Sequence, residues 1–249
     1  MATSQRSGSF SFGLRLSEEE EDSTMLDVLR GEKREKIVLQ RLIVIARLPH
    51  GLADRTEPGA HYEKLNFQLS KQYIWDHMTG LLLIYPTCLL HVIESSREVL
   101  AAVLKDLKDL QQQPDSALLE APKVVFMAHN PQSRLFQQWS YKVLGADQGP
   151  GDSVAKGLEE EEESTETLVC SVLSALQKLG EHVEMSKKAV PGSVLDETPD
   201  LIVPQEILHK LLTRDELQTP EQHLQMYNSP FNISMDFGQV IRSSCLTKV

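Results

Sequence analysis

Residues Thr79–Ser96 read TGLLLIYPTCLLHVIESS, two short apolar runs parted only by Pro86-Thr87. Apolar runs of this length bounded by turn residues favour strands. So short a connector leaves them one arrangement, an antiparallel hairpin. The neighbouring segments then fall into place around it. Ile37–Leu48 contains Leu42-Ile-Val-Ile-Ala46, a β-branched run that predicts a buried strand, stopped by Pro49-His-Gly51. Ala60–His77 carries Tyr62, Leu65, Leu69 and Tyr73 at spacings of three and four, which predicts an amphipathic helix. After the hairpin, Ser95-Ser-Arg-Glu98 has the form of a capping box, with Glu98 reaching back. The helix it opens places Val99, Leu100, Val103, Leu104, Leu107 and Leu110 on one face, and Pro114 closes it. Lys123–Ala128 predicts a fourth strand, and Arg134–Leu144 follows after a turn. The order is β-α-β-β-α-β over residues 37–144. That is the α+β, ferredoxin-like split-βαβ plan, with both helices on one face of an antiparallel sheet.

The flanks have a different character. Residues 1–24 form a Ser/Gly-rich acidic tail with little to bury, followed by a short helix at Met25–Arg34. Residues 145–166 read as an acidic, Gly-rich flexible linker. Residues 167–249 are expected to pack on the core as a helical extension that ends in a strand. Its pieces are a helix at Thr167–Leu179 ended by Gly180, a loop at Val190–Asp200, a helix opened by Pro204, and another opened by Thr219-Pro220. Phe231, Ile233, Met235 and Phe237 then alternate with polar residues.

Charge limits the partners. The formal net charge is −11, and Glu18–Asp22 and Glu159–Glu163 hold five acidic residues each. Such a balance repels nucleic acid and anionic membranes, although outside those runs the chain is close to neutral. No apolar run is long enough to span a bilayer, and the polar start lacks the form of a signal peptide. The expectation is a soluble cytoplasmic protein, with Asn232-Ile-Ser a chance glycosylation match. Cys88, Cys170 and Cys245 are far apart, with no CxxC pair, which argues against a disulfide framework and a zinc site.

Catalytic equipment is sparse. GxxxxGK[ST], GxGxxG and GxSxG are absent. Cys88 and His91 are three apart in a strand, so they face opposite sides and suit a nucleophile and its base poorly. A lone His91 in an apolar run fits a core residue with one hydrogen bond. Arg55 is a single cation in the first βα loop, too little for an anion loop. The strands carry aliphatic residues where RNA-binding sheets display stacked rings. Thr247-Lys-Val249 has the form of a terminal-carboxylate ligand for a PDZ-type groove. No catalytic or metal-binding residue is expected, and the chain is expected not to be an enzyme.

The combination of Thr79-Gly80-Leu-Leu-Leu, the strand ending Ile93-Glu94 and the Arg134-x-Phe136-x-x-Trp139 phrase resembles the BLUF family of flavin-binding blue-light sensors. The likeness covers about residues 40–144. That family uses a strand-one Tyr, a first-helix Asn and a strand-three Gln to hold and reduce flavin. By register from Thr79-Gly80 those places fall on Ala46, Tyr73 and His91. With all three changed, the resemblance implies a kept scaffold and a lost cofactor, so none is expected. The alternative is a small-ligand or flavin-binding module, with Arg134 and Trp139 beside the cleft. Across its length, including Pro204-Gln205 and Met226-Tyr-Asn-x-Pro230, the chain also resembles a family of testis-expressed, BLUF-like animal proteins. That likeness implies axonemal protein partners in a motile cilium or sperm flagellum. BLUF-like pairing implies a homodimer or heterodimer through the sheet or its edge strand.

Overall fold

A computed structural model describes residues 38–111, 118–145, 163–186 and 191–228. The acidic tail, the helix at Met25–Arg34, most of the linker, Cys245 and the terminal strand at Phe231–Phe237 lie outside the described residues. The elements are β1 (Gln40–Arg47), α1 (Glu57–Gln72), β2 (Thr79–Ile84), β3 (Cys88–Ser95), α2 (Arg97–Gln111), β4 (Glu120–His129) and β5 (Trp139–Val143). They are followed by α3 (Thr165–Ser186), α4 (Pro191–Glu197), a 3-10 turn (Pro199–Leu201), α5 (Gln205–Leu212) and α6 (Pro220–Asn228). None of the described helices is long and apolar enough to cross a membrane.

The five strands lie in the order β4-β1-β3-β2-β5. β1 pairs antiparallel with both β3 and β4, and β2 antiparallel with β3. The first four strands are thus the ferredoxin-like α+β plan. β5 adds a fifth strand parallel to β2 at the far edge, from Gly80 opposite Trp139 to Ile84 opposite Val143. At the hairpin tip the Tyr85 amide donates to the Cys88 carbonyl across Pro86-Thr87, at 2.8 Å.

Alternation along the strands sends side chains to two cores. One face carries Leu42, Val44, Ala46, Leu82, Ile84, Leu89 and Ile93, covered by α1 and α2. His61 Nε2 meets the Asp106 carboxylate at 2.9 Å and ties those two helices together. On the other face Ile43, Ile45, Leu81, Leu83, Leu90 and Val92 pack against Leu168, Val172, Leu176 and Leu179 of α3 and Leu208, Leu211 and Leu212 of α5. The flat face that a partner was expected to meet is therefore occupied by this chain's own C-terminal helices. Two polar contacts fasten them to the hairpin tip. The Tyr85 hydroxyl donates to the Val203 carbonyl at 2.8 Å, and Thr87 Oγ1 meets His209 Nε2 at 2.8 Å.

Several local expectations need correction. Gly180 does not end a helix; α3 runs on to Ser186, and Gly180 sits where the helix crosses Leu135. A Cβ there would come within 3.1 Å of the Leu135 side chain and 3.3 Å of its carbonyl oxygen, so the missing side chain permits the close approach. Val190–Asp200 is not simply loop but contains α4 and the start of the 3-10 turn. Glu98 is not the partner that caps α2. Ser96 Oγ accepts from the Val99 amide at 3.5 Å, but the Ser96 amide itself donates to Asp76 at 3.0 Å. The α1–β2 connection thus supplies the second half of the cap. α6 does open with a reciprocal cap, in which the Gln222 amide donates to Thr219 Oγ1 and the Thr219 amide to Gln222 Oε1.

Candidate functional site

The face between the sheet and helices α1 and α2 is where the sequence places Ala46, Tyr73 and His91. Ala46 is fully buried opposite Leu89. His91 is central in the sheet, opposite Val44 on one side and Leu82 on the other. Tyr73 caps the C-terminus of α1 at the rim, half-buried against this core, and its hydroxyl accepts a long bond from Gln72 Nε2 at 3.4 Å. The space between them is filled. Tyr62 projects from α1 and is 1% exposed, its ring centroid 4.5 Å from that of His91 in an edge-to-face contact. On the other side of His91 stands Trp139, whose indole Nε1 donates to His91 Nε2 at 3.0 Å.

That single hydrogen bond sets the state of the imidazole. With Nε2 accepting, the ring proton sits on Nδ1, and Nδ1 finds no partner. The Tyr62 hydroxyl is likewise buried without a hydrogen-bond partner. Burial pulls the His91 pKa down from 6.5 to about 3. Burial, helped by the Asp106 charge, pushes the Tyr62 hydroxyl well above its ordinary range. Both groups are neutral space-fillers across physiological pH. Unfolded, His91 regains its ordinary pKa, so the unfolded chain takes up the proton first. Stability from this group is full above about pH 6.5 and is lost as the pH falls toward 3. The slope is up to about 1.4 kcal/mol per pH unit. His91→Gln keeps an acceptor for Trp139 but does not titrate. Urea midpoints of the variant should therefore fall less steeply than wild type between about pH 6.5 and 4; parallel curves would refute the assignment.

The remaining site residues separate. Arg134 does not reach the cleft. Its guanidinium donates to Thr79 Oγ1 at 2.9 Å and to the Glu94 carbonyl at 2.8 Å, on the strand face that α3–α5 cover. Cys88 and His91 likewise belong to opposite faces, and burial pushes the Cys88 thiol up to about 12, so it carries no thiolate. Among the described residues no three His, Cys, Asp or Glu side chains gather as a metal site.

Sequence reasoning missed Glu94 as an organising group. Its side chain is fully buried and accepts from the Leu135 amide at 2.9 Å, the Phe136 amide at 3.1 Å and Arg41 Nε at 2.7 Å. Arg41 Nη2 continues to the Ser133 carbonyl at 2.8 Å. Thr79, Glu94 and Arg134, the very residues that carry the family likeness, thus bind the loop before β5 to the sheet. A signal was present in the sequence: a carboxylate closing an apolar strand must meet cations or amides if it is buried.

The interhelical face offers a flat ring such as isoalloxazine a changed set of neighbours. Tyr62 takes the space, Ala46 offers no hydroxyl, and His91 is already bonded to Trp139. A separate cleft of about 490 Å³ opens at the end of the sheet, lined by Leu48–His50, Leu52–Thr56, Pro86, Thr87 and Val143. Arg55 stands in it with Nη1 donating to the Leu144 carbonyl at 2.9 Å.

Solved structures similar to this chain include BLUF proteins. "BlrP1 BLUF" is 17% identical, covering 44% of this chain and 66% of its own, at a TM-score of 0.34. "BlrB - a BLUF protein, dark state structure" is 18% identical, covering 43% and 73%, at 0.32. Klebsiella pneumoniae BlrP1 with FMN and cyclic diGMP is 17% identical, covering 43% of this chain but 25% of that longer one, at 0.32. The family model of testis-expressed protein 47 matches residues 38–229, from the first strand to the last described helix. This chain belongs to the testis-expressed protein 47 family.

Proposed function

We propose that this chain is a non-catalytic interaction protein whose BLUF-like domain has given up its flavin. The observation that carries this reading is the edge-to-face Tyr62–His91–Trp139 cluster, which puts the protein's own rings in the interhelical space. Close-packed rings in that space leave little room for a tricyclic guest. His91 and Cys88 are a neutral imidazole and a protonated thiol on opposite faces. What such a domain offers is surface, including β5 at the edge of the sheet. The family name supports a testis setting, and we place the protein at the axoneme of a motile cilium or sperm flagellum.

Purified protein should be colourless, and its melting temperature should not move on adding riboflavin, FMN or FAD. A ligand that binds only the native state must raise that temperature, so a yellow protein or a clear upward shift refutes the loss of flavin. Immunoprecipitation from spermatogenic cells should recover axonemal proteins; recovery of unrelated cytosolic enzymes alone would sink the placement. The cleft beside Arg55 favours a second reading, a small-ligand module, because its volume lies within the range of ligand pockets. A flavin that raised the melting temperature while perturbing Leu48–Thr56 rather than His91 would select it.

A further inference from the structure

Tyr73–Asp76 form a turn after α1, closed by the Asp76 amide donating to the Tyr73 carbonyl at 3.1 Å. Its two corner residues are Ile74 and Trp75, which are 64% and 84% exposed. Turn corners ordinarily carry Gly, Pro, Asn or Asp, so two large apolar side chains there are not explained by the turn itself. Nor do they contribute to the core, since both point to water. The turn is nevertheless held firmly. Asp76 is buried, and its carboxylate accepts from the Ser95 hydroxyl at 2.9 Å and the Ser96 amide at 3.0 Å, so moving the turn uncaps α2. On the preceding helix Phe67 is 61% exposed, with Lys71 Nζ 4.1 Å from its ring centroid. Lys64 is exposed one turn earlier. From Lys64 to Met78 the only carboxylate is Asp76, which is committed to Ser95 and Ser96, while Glu63 is exposed just before that stretch. The stretch is therefore apolar and cationic within a chain of net charge −11.

We infer that the Ile74–Trp75 corner, flanked by Phe67, Lys64 and Lys71, docks an acidic amphipathic segment of a protein partner. This rests on the interaction reading above. A Trp on a fixed backbone loses little freedom on binding, and Trp anchors are over-represented among residues that dominate interfaces. The lysines select the sign of the partner and speed its approach. An anionic bilayer fits less well: polybasic membrane segments use about four to eight Lys or Arg, against two lysines here, and the net charge opposes approach.

The test replaces Ile74→p-benzoylphenylalanine in the full chain, irradiates it in spermatogenic-cell extract and sequences the cross-linked segment. The expected segment is rich in Asp and Glu, with apolar residues at helical spacing. Resynthesised as a peptide, it should bind the intact chain and lose about tenfold or more in affinity on Trp75→Ala. The melting temperature should hold, because the ring is exposed. Lys64→Gln combined with Lys71→Gln should weaken binding and remove most of its salt dependence. Cross-links to lipid, to a second copy or to a segment without acidic residues overturn the inference, as does no cross-link or an affinity indifferent to Trp75→Ala. If the Trp75→Ala chain binds axonemes as wild type does, the surface alone is wrong. If wild type itself does not, the interaction reading fails too.

Discussion

Glu94→Ala should destabilise the domain by about 3–5 kcal/mol, the usual cost of removing one partner from a buried ion pair. Stability of a typical domain is about 5–15 kcal/mol, so a large part of the native state's margin would go. The loss has two sources. Arg41, whose side chain is 16% exposed, would keep its charge without a counter-ion. The Leu135 and Phe136 amides would stay close to a fully buried Phe136 ring with no acceptor. Arg41→Met added to Glu94→Ala should recover part of the loss, because the second change removes the stranded charge. Urea titration of the single and double variants measures this. A Glu94→Ala protein as stable as wild type would mean that the loop before β5 does not depend on the carboxylate.

Gly80→Ala should be about as damaging, near 4 kcal/mol or beyond, in the range reached only by a few specific mechanisms. Gly80 has φ +147°, a conformation L side chains rarely adopt. A Cβ there would lie 2.0 Å from the Val92 carbonyl oxygen and 3.2 Å from the Ile93 Cα. Both neighbours are backbone of the adjacent strand, so neither can swing aside as a side chain would. Relief would mean separating β2 from β3, where Gly80 opposes Ile93, and disturbing β5, where it opposes Trp139. The control is Gly51→Ala, where an added Cβ meets nothing within 4 Å. Thermal melts should separate the two variants widely; equal melting temperatures would show that β2 and β3 tolerate a side chain between them.

The elements, the ferredoxin-like order of the first four strands and the packing of the C-terminal helices on the core were legible; the particular contacts between distant segments were not. Thr79–Ser96 announced a hairpin because strand length, apolar content and connector are all contained in the segment. The helices over Tyr62–Leu69 and Val99–Leu110 were legible because periodicity is local too. Gly180 misled because a glycine permits close packing as readily as it ends a helix, and only the position of Leu135 decides between them. Asp76 displaced Glu98 from the cap because a residue twenty positions away in sequence was better placed than one within the box. The site divided in the same way. Registering Ala46, Tyr73 and His91 needed only a motif. That Tyr62 would close the space, and that Arg134 would turn to Thr79 and Glu94, depends on how the rest of the chain packs around them.

The covering of the second sheet face by α3 and α5 also bears on synthesis. The contact from Tyr85 to Val203 joins residues 118 apart in sequence. Until the chain has been made beyond Leu212, Ile43, Ile45, Leu81, Leu83, Leu90 and Val92 lack the full cover that α3 and α5 give them. A nascent chain that has finished β5 thus presents a broad apolar sheet face to its surroundings for as long as the ribosome takes to build the helices that cover it. Such high contact order slows folding and lengthens exposure to aggregation. The acidic run at Glu159–Glu163 is made within that interval, between the sheet and the helices that complete it, adding soluble charge to the intermediate when its apolar surface is greatest.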